Sequence, residues 1–372
     1  MTDFSPQQDS ALLAVSRWLK AAKSGKAPQL FRLFGYAGTG KTTLARHIAE
    51  GVDGEVRFAA FTGKAAMMLR AKGCNEASTI HSMIYRSQTE DDTGTPSFSL
   101  NRQSDVKKAD LVIIDECSMV DEELGKDLMS FGVPVLVLGD PAQLPPVKGG
   151  GFFTEHDPDV MLTEVHRQAR DNPIIRMSMD IRGGERLSLG DYGASRVMQR
   201  GALGKDDMAN LVLAADQVLV GRNKTRRDFN LRMRELMGRT DPLPVAGDKV
   251  VCLRNNKTKG LLNGATFTVK AVGKAKTGMV TMRLDPDDVS ALNVKVSVLP
   301  EFFLGQEDNL PWQVRRESDE FDYGFALTVH KAQGSQWDRV VLFDESFAFR
   351  EHRDRWLYTA ITRAAQSVVV VV

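Results

Sequence analysis

A glycine-rich run that ends in a lysine and a hydroxyl is the segment of this sequence best suited to chemistry. It reads Gly35-Tyr-Ala-Gly-Thr-Gly-Lys-Thr42, follows the apolar residues Phe31–Phe34 and precedes a helical pattern. The backbone N–H groups of such a loop, with the N-terminus of the next helix, surround a polyphosphate. Lys41 would reach the β- and γ-phosphates, and the Thr42 hydroxyl would hold Mg²⁺. We predict a P-loop, with these further residues in the nucleotide site: Gly35, Gly38, Thr39, Gly40 and Thr43.

Two adjacent acids close another apolar run, Leu111-Val-Ile-Ile-Asp-Glu116. Asp115, at the end of the run, is placed to bind Mg²⁺, and Glu116 can orient and deprotonate an attacking water. An acidic pair after a strand is common by itself. Because this pair follows a P-loop by about 70–80 residues, it indicates a Walker B motif. Together the two motifs predict hydrolysis of a nucleoside triphosphate, and they do not narrow the class further.

The elements that must hold these residues form an alternating pattern. Apolar runs typical of buried parallel strands are separated by helical stretches such as Thr42–Glu50 and Lys64–Lys72. The predicted strands are Phe31–Phe34, Val56–Phe61, Leu111–Ile114 and Val133–Leu138. This alternation predicts an α/β fold with a doubly wound sheet that binds ligands at the carboxyl ends of its strands.

The second half predicts another such layer with an insertion. Its strands would be Val218–Val220, Val340–Phe343 and the terminal Val368–Val372, the last a central strand. Gly247–Val269 reads as short strands joined by Asn, Gly and Lys turns, which predicts a small β-barrel. We expect domains at 1–165 and 166–372, with the barrel at about 245–320 and a hairpin insertion at about 86–108.

Composition bounds the class of protein. A chain of 372 residues with 42% apolar and 26% charged residues is typical of a soluble protein of two or three domains. It has no run of 18 apolar residues and no signal-like N-terminus, which favours a cytoplasmic protein with no membrane contact. The three cysteines form no CxxC pair, which argues against a zinc or disulfide framework. A net charge of +1 leaves nucleic-acid binding open.

Six further segments resemble the motifs of superfamily 1 helicases, in that family's order. They are Ala59–Ala66 for motif Ia, Ala77–Ser82 for the motif after it, Val137–Val147 for motif III, Leu162–Gln168 for motif IV, Thr328–Gln336 for motif V and Tyr358–Arg363 for motif VI. Phe4–Gln8 stands where the family keeps its adenine-reading glutamine, here Gln8. The resemblance spans nearly the whole chain and is closest to the RecD-like and Dda-type motors, which translocate 5′ to 3′.

The resemblance implies two RecA-like domains with ATP and Mg²⁺ between them. Gln143 would sense the γ-phosphate, and Arg167 and Arg363 would act as arginine fingers that stabilise developing charge. Motif V would add Gly334 and Gln336 to the nucleotide site. His166 would stack on adenine or, equally, lie on the surface as a solvated side chain.

The same motifs imply contacts with nucleic acid. Thr62, Lys64 and His81 would grip single-stranded DNA from one domain, and Thr328 and His330 from the other. Phe98, the one aromatic near the middle of the polar hairpin, would either separate strands at a DNA junction or pin the hairpin to the body. A single-strand-binding protein or a replication or recombination protein is a further expected partner, in a bacterial or phage-infected cell.

Three alternatives stay open at this point. The chain could be the helicase subunit of a nuclease complex, although we find no nuclease-like cluster of acids and lysine. It could be a Pif-type helicase, which shares the core motifs. It could also be an ATP-gated single-strand clamp, which would require a broken Walker B motif or missing arginines, whereas both are filled here. The motifs do not distinguish replication, recombination and repair, nor DNA from RNA.

Overall fold

The computed structural model describes residues 4–87, 98–145, 151–165, 171–256, 258–273, 278–287 and 293–372. The chain divides into two compact units. The first comprises Met1–Thr89, Pro96–Arg186 and Asp354–Thr362, and the second contains Leu187–Arg353 and Arg363–Val372. The first unit therefore extends past the boundary expected at residue 165 and also takes in a late segment that carries most of motif VI.

The first unit contains eight strands within the described residues. They are β1 Leu30–Gly35, β2 Val56–Ala60, β3 Ser78–Thr79, β4 Tyr85–Ser87, β5 Phe98–Leu100, β6 Leu111–Asp115, β7 Val135–Gly139 and β8 Val160–Leu162. Six of them form one parallel sheet in the order β3-β2-β6-β7-β1-β8. The two strands that carry the phosphate loop and the acidic pair, β1 and β6, are separated only by β7. The predicted parallel strands are thus confirmed, with ends shifted by one or two residues.

Helices cover both faces of this sheet. They are α1 Pro6–Lys23, α2 Lys41–Glu50, α3 Gly63–Ala71, α4 Ile80–Ile84, α5 Glu122–Met129 and α6 Pro173–Arg182, with 3-10 turns at Asp105–Lys108 and Cys117–Met119. One apolar cluster joins α1, α2 and α3 to the sheet through Val15, Leu44 and Leu69. A second cluster, with Ile80 and Leu124, joins α4 and α5 to the other face. Two buried faces explain why the strands are continuous apolar runs.

The predicted hairpin is partly within the described residues. Strands β4 and β5 pair antiparallel, with Tyr85 opposite Leu100 and Ser87 opposite Phe98. The hydroxyl of Tyr85 donates to Asp127 Oδ2 on α5 at 2.5 Å and so ties the base of the hairpin to the body. Residues 88–97 lie outside the described residues.

The second unit contains eleven strands within the described residues. They are β9 Gly190–Tyr192, β10 Ser195–Met198, β11 Gln217–Val220, β12 Lys249–Cys252, β13 Thr266–Gly273, β14 Val280–Pro286, β15 Val294–Val298, β16 Phe321–Tyr323, β17 Ala326–Thr328, β18 Trp337–Phe343 and β19 Ala364–Val371. One sheet has the order β17-β11-β18-β19-β10-β9 and is parallel except for β9. The valine-rich β19 lies inside this sheet, as predicted.

The other five strands form an antiparallel sheet in the order β15-β14-β13-β12-β16, inserted in the chain between β11 and β17. The remaining helices are α7 Lys205–Ala214, α8 Asn223–Leu236, α9 Glu301–Leu304, α10 Trp312–Arg316 and α11 Arg353–Ile361. Buried ion pairs fasten the insertion to α8: Arg226 to Asp322 at 2.6 Å and Arg234 to Asp248 at 3.2 Å. Each of these charges is thus neutralised by a partner that is buried with it, which a lone buried charge would lack.

Candidate nucleotide and nucleic-acid sites

The loop between β1 and α2 has the shape that a phosphate cradle requires. Gly38 and Gly40 have φ values of 79° and 80°, in the left-handed region that favours glycine. A Cβ at Gly35 would lie 2.6 Å from Thr39 Oγ1 and 2.8 Å from Leu162 Cβ, so a side chain does not fit there. The glycines of the motif are therefore needed for the path of the backbone, which leads directly into the N-terminus of α2.

The two residues that end the loop lie beside the acidic pair. Lys41 Nζ donates to the carbonyl oxygens of Gly35 at 2.5 Å and Tyr36 at 3.1 Å, which holds the ammonium over the loop. The hydroxyl of Thr42 donates to Asp115 Oδ2 at 3.1 Å. Burial, with the neighbouring charge of Glu116, raises the pKa of Asp115. A hydroxyl and a carboxylate side by side are the oxygen donors that Mg²⁺ prefers, so these residues fit that ion.

Glu116 adopts a backbone conformation that is rare for its type. Its φ is 53°, in the left-handed region, and its N–H donates to Asp115 Oδ1 at 2.9 Å. Non-glycine residues held in this region cost of order 1–3 kcal/mol and cluster at functional sites. The Asp115 carboxylate, at the end of β6, is therefore bonded to Thr42 and to the N–H of Glu116.

Gln143 lies in the turn after β7, within the same unit. Its backbone N–H donates to the Asp140 carbonyl at 3.1 Å, and its side chain is 8% exposed. The side-chain oxygen is buried and has no hydrogen-bond partner among the described residues. Since buried polar groups are nearly always paired, this amide oxygen is available to accept a hydrogen bond from a group that binds there, such as a water.

Gln8 reaches the phosphate loop from α1. Its Nε2 donates to the Thr39 carbonyl at 3.0 Å, and its Oε1 accepts from Ser5 N at 2.9 Å in a capping box. Both polar ends of the amide are thus used inside the protein. The adjacent Gln7, which the motif comparison passed over, accepts from the backbone N–H groups of Thr163 and Glu164 and so ties α1 to the start of motif IV.

A tyrosine that sequence reasoning missed also joins the phosphate loop. The hydroxyl of Tyr358, in motif VI, accepts from Ala37 N at 2.9 Å and donates to Asp140 Oδ2 at 2.6 Å. Both partners belong to the first unit, as does Tyr358. The sequence signal for Tyr358 was its place in motif VI, of which only Arg363 was predicted to act at the nucleotide.

The residues of the first unit that are predicted to contact single-stranded DNA have different environments. Thr62 caps α3 by accepting from Ala65 N at 3.1 Å, and Lys64 is only 2% exposed. His81 is exposed to solvent, and its ring lies against those of Phe61 and Tyr85. The distances between ring centroids are 6.1 Å and 5.6 Å. Burial against these rings lowers the pKa of His81. Of the three residues, His81 is accessible and Lys64 is not in this conformation.

In the second unit motif V begins at Thr328, the last residue of β17, and continues beyond the strand. Thr328 is 5% exposed, and its hydroxyl oxygen accepts from Lys331 N at 3.4 Å. His330 is half-buried, with its ring 5.4 Å from that of Phe349, and burial with the charge of His352 lowers its pKa. Gly334 has a φ of 73°, which a glycine accommodates.

Arg363 and Gln336 lie close together in the same unit. The Arg363 guanidinium is 5% exposed and donates to the Ser335 carbonyl at 3.3 Å, while its own carbonyl accepts from Trp337 N at 2.9 Å. Gln336 Nε2 donates to the Ala364 carbonyl at 3.5 Å. The last residue of motif VI, Arg363, therefore lies beside the end of motif V within the second unit.

Comparison with known proteins gives matches along most of the chain. An AAA domain model matches residues 18–202, and a UvrD-like helicase C-terminal domain model matches residues 323–371. The ATP-dependent RecD2 DNA helicase of Deinococcus radiodurans is 30% identical over 375 residues, covering 90% of this chain and 46% of that protein. The ATP-dependent DNA helicase Dda of phage T4 is 35% identical over 166 residues, 41% of this chain and 37% of its own length.

The sequence motifs and these two relatives indicate the same helicase family. This chain belongs to the RecD-like and Dda-type branch of helicase superfamily 1. It spans less than half the length of these two curated relatives. Among solved structures, Bacteroides Pif1 bound to single-stranded DNA matches with a TM-score of 0.59 at 17% identity, over 100% of this chain and 93% of that one. That likeness confirms the helicase fold of two RecA-like α/β domains.

Some predicted helicase residues lie beyond what the structure describes. His166 and Arg167 are outside the described residues, and so is the side chain of Phe98, although its backbone is part of β5. Their roles stay predictions. Within the described residues, no helix of this chain is long and apolar enough to cross a membrane.

The second unit also presents an aromatic side chain that the motifs do not include. Phe347 is 65% exposed in the 3-10 turn after β18, and the Arg222 guanidinium lies 5.8 Å from its ring centroid. The turn is held by Glu345, whose carboxylate accepts from Gly221 N and Arg222 N. Phe347 therefore stands on a fixed turn at the carboxyl edge of the sheet. Two phenylalanines in a polar segment, SFAFREHR, were the available sequence signal.

Proposed function

We propose that this chain couples ATP hydrolysis to 5′-to-3′ movement along single-stranded DNA and unwinds duplex DNA. The observation that carries the proposal is the assembly, at the carboxyl edge of the first sheet, of a phosphate loop, a hydroxyl–carboxylate pair and a buried glutamine whose amide oxygen has no partner among the described residues. The names of RecD2 and Dda, both ATP-dependent DNA helicases, support this activity. The 5′-to-3′ direction rests on the resemblance of the motifs to those of the RecD-like and Dda-type motors.

The chemistry divides among residues of the phosphate loop and the acidic pair. Lys41 and the loop N–H groups bind the phosphates, and Thr42 with Asp115 hold Mg²⁺. The ion, when bound, neutralises charge on the phosphate oxygens. Glu116 accepts the proton of the attacking water, and Gln143 donates from its amide to the γ-phosphate or to that water. Arg363, with Arg167, supplies positive charge in the transition state.

Nucleic acid is gripped by both units in this proposal. His81 and the Thr62 end of α3 contact the strand from the first unit, and Thr328 and His330 from the second. Lys64 contributes only if its buried ammonium becomes exposed. Phe347, exposed beside a guanidinium, is suited to stack on a base, since every base offers an aromatic face. Alternating grip by the two units, driven by the nucleotide cycle, then produces directed steps.

Two insertions complete the proposed motor. We propose that the β4–β5 hairpin carries a strand-separating wedge with Phe98, next to the segment that holds His81. The antiparallel sheet β12–β16 would be an SH3-like barrel that acts as a clamp, with the turn at Arg254–Asn263 toward the strand. DNA junctions, and a single-strand-binding or replication or recombination protein, are the partners that such a motor would meet.

Steady-state ATP hydrolysis with and without single-stranded DNA tests the proposal. We expect Mg²⁺-dependent hydrolysis that an oligo-dT strand stimulates, because strand binding and the nucleotide cycle are coupled. EDTA should abolish it. Hydrolysis that ignores oligo-dT, or strand binding without any hydrolysis, would overturn the proposal and favour a nucleotide-gated clamp.

A further inference from the structure

A chain of hydrogen bonds crosses the first unit at Tyr358. The Ala37 N–H, in the middle of the phosphate loop, donates to the Tyr358 hydroxyl, which donates to Asp140 Oδ2. Asp140 follows β7 and is 3% exposed, and its Oδ1 accepts from Ala142 N at 3.0 Å. One phenol thus joins the phosphate loop to the turn that contains Gln143.

The direction of this chain is fixed by chemistry. A backbone N–H only donates, and a carboxylate only accepts, so the Tyr358 hydroxyl must stay protonated to serve both. Burial, with the neighbouring Asp140 charge, raises the pKa of Tyr358, and burial raises the pKa of Asp140. Hydrogen bonds in series polarise one another and are stronger to a charged acceptor.

Neighbouring contacts fix the tyrosine in place. Tyr358 is 1% exposed, and the next residue, Thr359, accepts through its hydroxyl from Leu144 N at 2.9 Å, one residue after Gln143. The ring of Tyr36, in the phosphate loop, lies under the Arg182 guanidinium at 3.6 Å. The segment Asp354–Thr362 therefore holds both the phosphate loop and the motif III turn, and Arg363 follows it directly in the chain.

We infer that Tyr358 is a positioning residue for ATP hydrolysis, which links the phosphate loop to Asp140 and so holds Gln143 in its reacting position. This inference rests on the proposed function. The hydroxyl does not itself reach for phosphate in this arrangement, since both of its hydrogen bonds are made to the protein. Its loss should therefore affect the transition state, where alignment is most demanding, more than the binding of nucleotide, which many loop N–H groups share.

Tyr358→Phe removes the hydroxyl and keeps the ring. We expect kcat for DNA-stimulated hydrolysis to fall by about 10-fold to 100-fold, the size of effect that small misplacements produce. The KM for ATP and the Kd for ADP, measured by calorimetry, should change by less than about 3-fold because ground-state contacts remain. Tyr323→Phe is the matched control: that hydroxyl is also buried and donates to the Pro242 carbonyl at 2.9 Å, in the second unit. Its kcat should match wild type.

A double-mutant cycle separates a link from two independent structural roles. Asp140→Ala alone should lower kcat, and adding Tyr358→Phe should lower it little further, because either change breaks the same chain. Additive losses, a loss confined to KM, or kcat within about 2-fold of wild type in folded Tyr358→Phe would each overturn the link. Those results leave wild-type DNA-stimulated hydrolysis intact, whereas a wild-type protein without it would overturn the proposed function and the link together.

Discussion

The two parallel sheets use the N-terminus of a helix in opposite ways. In the first unit β1 ends at Gly35, and five residues follow before α2 begins at Lys41, which leaves a loop wide enough for phosphate. In the second unit β11 ends at Val220, and only two residues precede α8. There the carboxylate of Glu345 accepts from Gly221 N at 2.8 Å and Arg222 N at 3.0 Å.

Glu345 therefore takes the place that an anionic ligand would occupy. Its other oxygen accepts from the Thr225 hydroxyl at 2.7 Å, and it pairs with the Arg222 guanidinium at 2.6 Å. A Cβ at Gly221 would lie 2.8 Å from Glu345 Cβ, so the turn is closed around this carboxylate. The same preference of helix N-termini for anions serves ligand binding in one sheet and internal cohesion in the other.

The largest effects on ATP hydrolysis should come from substitutions in the phosphate loop and the acidic pair of the first unit. Lys41→Ala should abolish turnover and weaken nucleotide binding, because the ammonium neutralises phosphate charge. Glu116→Gln should also abolish turnover but keep ATP and strand binding, since it loses the base and keeps the shape. ATPase rates with parallel nucleotide binding distinguish them. Near wild-type hydrolysis by Glu116→Gln with DNA present would remove Glu116 from the role of base.

Arg363→Ala should lower the DNA-stimulated kcat by about 10³-fold or more, as for the removal of an arginine finger. ATP affinity should change much less, because the contact matures in the transition state. The buried guanidinium also bonds the Ser335 carbonyl, so thermal unfolding must be measured beside kinetics. A folded variant that loses only ATP affinity would make Arg363 a ground-state binder.

Substitution of Glu345, which fills the helix N-terminus of the second unit, should lower the free energy of unfolding and leave nucleotide binding unchanged. Burial raises the pKa of Glu345, but hydrogen bonds from Thr225 and Arg222 outweigh it, so that pKa lies below the ordinary value. Its contribution is therefore fully present above the unfolded pKa, about 4.3, declines as pH falls below that value, and is lost as pH falls through the lower folded pKa. Glu345→Gln should lower the free energy of unfolding by about 1–3 kcal/mol near pH 7.

The control for that change is Glu317→Gln at an exposed glutamate in the same unit, which should be neutral. Chemical denaturation at pH 7 and pH 4 measures both. The difference between Glu345→Gln and wild type should shrink at the lower pH. A difference that stays constant with pH would show that the carboxylate charge does not hold the turn.

The smallest effect is expected at Phe347, which we propose stacks on a base of single-stranded DNA. Phe347→Ala should weaken binding of oligo-dT by about 1–3 kcal/mol, the range for loss of base stacking. The salt dependence of binding should not change, because no phosphate contact is removed. Leu231→Ala, which truncates an apolar side chain 46% exposed on α8, is the control. Equal effects of the two changes, measured by fluorescence anisotropy, would argue against stacking.

The phosphate loop of the first unit could be predicted from the sequence, whereas the turn of the second unit that Glu345 fills could not. Gly38, Gly40 and Lys41 are local: their types and spacing specify a loop that needs no distant partner. Glu345 is 124 residues from Gly221, and nothing in its neighbours along the chain indicates where its carboxylate goes. Tyr358 to Ala37 spans 321 residues for the same reason. The first compact unit includes α6 and its main segment ends at Arg186, whereas the sequence pattern predicts a boundary at residue 165.

Strand separation on tailed duplexes tests the central claim most directly. Duplexes that carry only a 5′ or only a 3′ single-stranded tail are mixed with the protein, ATP and Mg²⁺, and the released strand is measured over time, with Glu116→Gln as the inactive control. We expect release from the 5′-tailed duplex and none from the 3′-tailed duplex. Release from 3′ tails, or from neither while oligo-dT still stimulates hydrolysis, would contradict the account of a 5′-to-3′ helicase.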